Sequence, residues 1–209
     1  METKIHQVGY RSGLIAFGFA AAYSIIQILQ VLKVVGAPTD AILIYGTSLG
    51  IVIPFILEML ALHYTAPVEK KFWSHAALIF TIIYAVFVTA NYVVQLTTVL
   101  PAKWNGTYEQ IKILDQTPHS LFWDFDAIGY ICMGLATILV IPVFEKTGFH
   151  RWVRFSLMAN GLVTPLIAFV YFYPTFSERL LLLGFPWAVT APLAMVMLAI
   201  SFKKSKKPG

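Results

Sequence analysis

Apolar residues gather into six long runs separated by short polar stretches, and that alternation organises the whole chain. The runs predict helices over residues 12–32, 41–62, 72–96, 121–143, 152–173 and 180–202. Each is close to the ~20 residues that cross a hydrocarbon core of about 30 Å at ~1.5 Å per residue. The apolar positions are continuous, not alternating, which argues against a membrane β-barrel. In lipid a helix pairs its backbone groups within one segment, so the helical reading is close to forced. The predicted fold is all-α: one polytopic membrane domain, residues 1–209, with six transmembrane helices.

The polar links set the boundaries. Gly36 and Pro38 mark a tight first connection, and Pro67, Glu69, Lys70 and Lys71 mark the second. Pro101 is expected to lie beyond the third helix, in the longest link, 97–120, which is polar and mixed in charge. A link of that length is long for neighbouring helices and suits a cover over one end of the bundle. Ala20-Ala21-Ala22 offers the small residues a signal peptidase takes. The run nevertheless continues to Leu32, past the ~7–15 residues of a signal's apolar region, so the first helix is read as retained.

Composition removes the soluble alternative. Hydrophobic residues make up 58% of the chain and charged residues 12%, about half the ~25% usual in soluble domains. Membrane lipids are therefore the expected solvent and partner. The net charge of +5 does not point to nucleic acid, because the cations sit at the ends of apolar runs and not along one stripe. With alternating helices, eleven of the fifteen lysines and arginines share a side: Lys4, Arg11, Lys70, Lys71, Lys146, Arg151, Arg154, Lys203, Lys204, Lys206 and Lys207. Lys33, Lys103, Lys112 and Arg179 take the other. The positive-inside bias places both termini in the cytoplasm. Trp73, Trp152, Tyr10 and Tyr64 then fall at the inner boundary, and Trp123 and Tyr173 at the outer one, where amphipathic rings settle. The cell membrane is the favoured location. Lys206-Lys207-Pro208-Gly209 also fits a dilysine signal of the endoplasmic reticulum, but a basic tail held against anionic lipid is preferred. Asn105-Gly106-Thr107 is a glycosylation sequon that matters only in a secretory pathway.

A motif recurs. Gly50-Ile-Val-Ile-Pro54 is echoed 111 positions later by Gly161-Leu-Val-Thr-Pro165, and the same shift pairs Ala16 with Ala127 and Gly18 with Gly129. Halves of three helices, 1–100 and 121–209, would cross the membrane in opposite senses, as in inverted-repeat transporters. Against this stands the general abundance of glycine and proline in membrane helices.

Glu58 is the one acid near the inner end of a predicted helix. It is read either as a titrating proton or cation site or as half of an ion pair with Arg154, with Ser74, His75 and the deeper Asn160 as other neighbours. In the outer half, Tyr23, Gln27 and Gln30 share a face of the first helix, and Asn91 and Gln95 share one of the third. His119, Trp123, Asp124 and Asp126 open the fourth, with Tyr130 one turn below Asp126. Polar groups at that depth turn inward, predicting a polar cluster or a wet vestibule. Glu109, Asp115, Asp124 and Asp126 outnumber Lys103 and Lys112 there, so the mouth would favour cations. Asp126 ranks above Asp124 because it is deeper. Plain interhelical hydrogen bonding, worth roughly 0.6 kcal/mol per contact, is the structural alternative.

His6, His63, His75, His119 and His150 are isolated in sequence, which argues against a zinc or di-iron centre. Cys132 has no partner cysteine. No mid-helix lysine, phosphate loop, dinucleotide fingerprint or nucleophile elbow is present, and no cofactor is expected. The run His119-Ser-Leu-Phe-Trp-Asp-Phe-Asp-Ala-Ile-Gly-Tyr130, with Asn91-Tyr-Val-Val-Gln95, resembles segments of uncharacterised prokaryotic six-helix membrane proteins of unknown function; the resemblance implies no activity.

Three functions fit this pattern. One is a small transporter or ion-coupled carrier, with Asp126, Asn91, Gln95 and Gln27 lining an outward site for a small solute or cation and Glu58 titrating on the inner side. Another is a membrane-embedded enzyme on a lipid-like substrate, using Asp126, His119 or Glu58 as acid–base groups. The third is an accessory subunit whose polar cluster is closed by its own hydrogen bonds. Topology is directly testable: a reporter active only in the cytoplasm should work when fused at either terminus and fail when inserted at Gly106.

Overall fold

A computed structural model describes residues 2–204. Its helices are α1 Glu2–Val31, α2 Thr39–Thr65, α3 Lys71–Val94, α4 Leu100–Asn105, α5 Leu121–Val140, α6 Gly148–Phe172, α7 Glu178–Leu181 and α8 Trp187–Lys204. Among the described residues, six segments are long and apolar enough to cross a membrane: Thr3–Val31, Thr39–Thr65, Val68–Asn105, Leu121–Val143, Gly148–Phe172 and Glu178–Lys204. The chain is accordingly an all-α integral membrane protein. Six crossings bring both ends of the described chain to one face, the terminal face; residues 97–120 lie at the opposite, loop face. Lys206 and Lys207, with the retrieval-signal reading they carry, lie outside the described residues.

Each spanning helix packs on its neighbour in sequence: α1 on α2, α2 on α3, α3 on α5, α5 on α6 and α6 on α8. α8 returns to α1 and closes a ring. Short links favour such antiparallel neighbours. Ile53, Val86, Leu162 and Val189 are 60–69% exposed in the middle of their spans, an outer surface only lipid can solvate. Inside, Ile51, Phe55, Met59, Met133, Leu157 and Leu198 are almost fully enclosed.

The structure moves three predicted boundaries. α1 begins at Glu2, not 12, because its first turns rest on α8: the His6 and Phe202 rings meet edge to face at 6.2 Å. The third helix does not stop before Pro101. At Gln95–Val99 it widens into a π turn, and the Leu100 amide reaches back to Gln95 O. Pro101 then falls in the first turn of α4, directly after the π turn. The last span, predicted as one helix over 180–202, is instead α7, a 3-10 turn at Leu182–Gly184 and then α8. Gly184 and Pro186 sit at that break.

Pro54 in α2, Pro165 in α6 and Pro192 in α8 also lie inside spanning helices. A helical proline frees the carbonyl four residues earlier. For Pro192 that is Ala188 O, and Ser24 Oγ of α1 lies 2.8 Å from it. The same hydroxyl lies 2.9 Å from Ala20 O of its own helix, so its one hydrogen is shared between that carbonyl and the one Pro192 leaves free.

The suspected repeat is not confirmed. A methyl added at Gly50 would strike Phe19 of α1, and one at Gly161 would strike Ile138 of α5, so both glycines face the preceding helix of their own half. Gly18 and Gly129 differ, however: Gly129 lies against Val88, whereas nothing approaches within 4 Å of a methyl at Gly18. Shifted by 111 positions, Asp126 falls on Ile15 and Glu58 on Phe169, so the buried acids have no counterparts.

The α5–α6 contact depends on Gly134. A methyl there would overlap Thr164 Oγ1 and lie 2.9 Å from Thr164 Cβ, an atom no rotamer change can move. Gly134→Ala should therefore cost about 1–3 kcal/mol in detergent unfolding titrations. Gly18→Ala, with open space around it, should be neutral or gain about 0.5–1 kcal/mol from helix propensity.

Candidate functional site

In the loop half of the ring, Asp126 of α5 is only 3% exposed and receives three hydrogen bonds. Tyr92 of α3 donates to Oδ1 at 2.6 Å, while Tyr171 of α6 and Gln116 of the covering segment donate to Oδ2 at 2.5 and 3.0 Å. The network extends across the bundle. Tyr130 OH lies 3.5 Å from Tyr92 OH and donates to Tyr23 OH of α1 at 2.6 Å, and Gln27 Nε2 donates to that same oxygen at 2.9 Å. Tyr45 of α2 stacks on Tyr92, and the Trp187 ring of α8 meets Tyr23 and Tyr130 edge-on. All six spans thus reach this cluster.

Residues 97–120 close over it, and Gln95 at the π turn is the anchor. Its Nε2 donates to Leu114 O at 2.8 Å, and its Oε1 accepts from the Gln116 amide at 3.2 Å. Asn91 donates to Gln116 Oε1 at 3.0 Å, which aims the other end of that amide at Asp126. Lower in the cover, Asp115 pairs with Lys103 at 2.8 Å and accepts from Tyr108 OH at 2.7 Å. That hydrogen bond lifts the Tyr108 phenol from 10.0 to about 12. A group whose pKa is raised on folding contributes fully below its unfolded value, so this tie holds below about pH 10 and is lost as pH rises through about 12.

The arrangement differs from an open acidic mouth. Asn91 and Gln95 are 0% and 1% exposed, so the amides are sealed in. Asp115 has Lys103, and Glu109 has Lys112 at 3.8 Å. Asp126 has no cation within ion-pair distance among the described residues. Gln30 leaves the face it was expected to share and bonds Asp40 of α2 at 2.8 Å. Trp123 is not a boundary ring either: it is 9% exposed and donates its indole N–H to Tyr171 O at 3.1 Å. Two polar atoms of the cluster remain unpartnered within the described residues, Asn91 Oδ1 and Trp187 Nε1.

Toward the terminal face, Glu58 of α2 is 0% exposed, and neither carboxyl oxygen has a hydrogen-bond partner among the described residues. It lies two turns inside the helix, which runs on to Thr65. A methyl at Gly13 of α1 would overlap Glu58 Oε1 and meet Ala199 Cβ of α8 at 2.7 Å, so two small residues make room for the carboxyl. The ion pair with Arg154 is not formed. Arg154 donates instead to Ile141 O and Phe144 O at 2.9 and 3.0 Å, at the carboxyl end of α5 where a cation meets the helix dipole. Ser74 and Asn160 also have other partners: Ser74 bonds His63 and Lys71 O, and Asn160 joins Thr137 and Thr190. A cavity of about 10 Å³, lined by Asn160, Thr137, Met59 and Met133 among others, lies in the interior. That is room for about one water.

Comparisons with protein-family models, curated proteins and solved structures gave no match. Geometry alone therefore carries the functional reading. Asp126, Asn91, Gln95 and Gln27 belong to one network, and Glu58 stands apart from it. Gly13 and Tyr23, the α1 residues nearest the two sites, are ten positions apart, about 15 Å along the helix. His119 sits exposed on the cover with φ 65° and shares no enclosure with either acid. Tyr92, Tyr171 and Gln116 were missed. A tyrosine deep in an apolar run needs a partner for its hydroxyl, which was a usable signal for the first two; nothing in the sequence singled out Gln116.

The Asp126 bonds should be measurable. Tyr92→Phe and Tyr171→Phe should each lower stability in detergent by about 1–2 kcal/mol, because a buried acceptor loses a donor. Tyr23→Phe should cost nearer ~0.6 kcal/mol, the average for an interhelical bond in a membrane.

Proposed function

We propose that this protein is a small ion-coupled carrier, described here in a closed arrangement. The observation that carries the reading is Glu58. A carboxyl sealed in a membrane bundle with no hydrogen-bond partner among the described residues costs about 3 kcal/mol on insertion scales, a cost that leucine would not bring. Groups of that kind mark proton and ion paths.

The surrounding polar groups fall into two half-paths. On the loop side, Gln116, Asp126, Tyr92, Tyr130 and Tyr23 follow one another at hydrogen-bond spacing or close to it. Toward the terminal side stand the Thr190–Asn160–Thr137 chain, the small cavity and Glu58. Between Tyr130 and Thr137 lie two turns of α5, about 10 Å, with Met133 buried among them. Alternating access would have to open each half in turn to its own side of the membrane. Asn91 Oδ1 and Trp187 Nε1, unpartnered among the described residues, give the cluster one acceptor and one donor that a polar solute could use.

A second reading rests on one specific observation. Asp126 is supplied with three donors, as in an accessory subunit whose polar cluster only fastens its helices. The enzyme reading has less support, since both acids are enclosed.

Reconstitution distinguishes the two. In vesicles loaded with a pH-sensitive dye, the parent protein should pass protons, or an added monovalent cation, under an imposed gradient. Glu58→Gln should lower the rate at least about tenfold, equivalent to ~1.4 kcal/mol of barrier, and Asp126→Asn should also lower it. Flux no faster than in protein-free vesicles, or unchanged by either substitution, would leave the accessory reading standing.

A further inference from the structure

A second site lies outside the bundle. At the terminal face an open pocket of about 340 Å³ is lined by His63 of α2 and by Lys71, Phe72, His75, Ala76 and Ile79 of α3. The two imidazoles meet edge to face with centroids 5.4 Å apart. Ser74 Oγ donates to Lys71 O at 3.1 Å and lies 3.0 Å from His63 Nδ1. Either group can be the donor in that last contact, according to the His63 tautomer. The neighbouring Lys70 is committed to Val143 O and Glu145 at 3.2 and 2.6 Å. Lys71 enters no ion pair among the described residues.

The lining changes character along α3. Phe72, Ala76 and Ile79 follow at spacings of four and three on one stripe, and Phe72 and Ile79 are exposed on the lipid side. From Lys71 to Ile79 the helix descends about 12 Å. Exposed Tyr64, Phe72 and Trp73 ring the upper end, as aromatic side chains do at headgroup level. One cation and two ionisable rings therefore stand at the head of an apolar track.

We propose that this pocket binds an anionic phospholipid, its phosphate between Lys71, His63 and His75 and an acyl chain along Phe72, Ala76 and Ile79. A soluble phosphate would use only the upper half; the apolar track assigns the lipid. The site is separate from Asp126 and Glu58 and does not rest on the carrier reading.

Native mass spectrometry of the detergent-solubilised full chain tests this with three probes: phosphatidylglycerol, phosphatidylcholine and inorganic phosphate. A single phosphatidylglycerol adduct is expected at several-fold lower concentration than the phosphatidylcholine adduct. Lys71→Gln should weaken it about fivefold, the weight of one cation near a membrane surface. Adding His75→Gln should bring it to the phosphatidylcholine level. His75 is exposed and Lys71 partly so, which leaves the bundle intact; Lys33→Gln, an exposed cation at the other end of α1 and α2, should change nothing. The proposal is overturned by equal binding of the two lipids, by an adduct insensitive to the double substitution, or by inorganic phosphate binding as tightly as phosphatidylglycerol.

Discussion

The buried carboxylate of Asp126 is the constraint around which the loop half of this protein is assembled. Lipid tails are as apolar as leucine, so helix association in a membrane gains little from apolar burial and depends on packing and hydrogen bonds. Asp126 supplies that tie. Its donors come from α3, α6 and the covering segment, and the tyrosine chain behind it reaches α1. The cover is held by the same logic, because Gln95 uses both ends of its amide on backbone groups of 114 and 116. The π turn at Gln95 lets that helix continue through Pro101 and carry the chain over the mouth.

The terminal half is organised differently. Its cations stay at the ends of helices, where Arg154 and Lys70 both hold carbonyls at the end of α5, and Lys70 also draws the Glu145 carboxyl below its usual range. Small residues, Gly13 and Ala199, open space for Glu58 without offering it a bond. Among the described residues, one acid is thus surrounded by donors and the other by none. That contrast, and not the suspected duplication, distinguishes the two halves, since neither acid has a counterpart at the shift that pairs Gly50 with Gly161.

The spans were legible because hydropathy is a local property: a run such as 121–143 needs lipid whatever surrounds it. Inward-turned acids and amides were legible for the same reason, and Asp126, Asn91, Gln95 and Gln27 are linked through Tyr23, Tyr130, Tyr92 and Gln116. Partners were harder to read. Arg154 was as plausible a neighbour for Glu58 as any residue at that depth, but helix rotation sent it to Ile141 and Phe144. Trp123 had the spacing of a boundary ring, yet its face of α5 turned toward Tyr171.

By itself, then, the order of residues determined the solvent, the count of crossings and the fact that scarce polar groups face one another, because each follows from the cost of moving a few neighbouring side chains into hydrocarbon. Only the tertiary structure decided that Gln116 would fold back to complete the Asp126 shell, that Pro192 would borrow a hydroxyl from Ser24, and that Glu58 would be left alone. Those outcomes depend on how six helices are rotated about their own axes, a quantity that no single run of sequence contains.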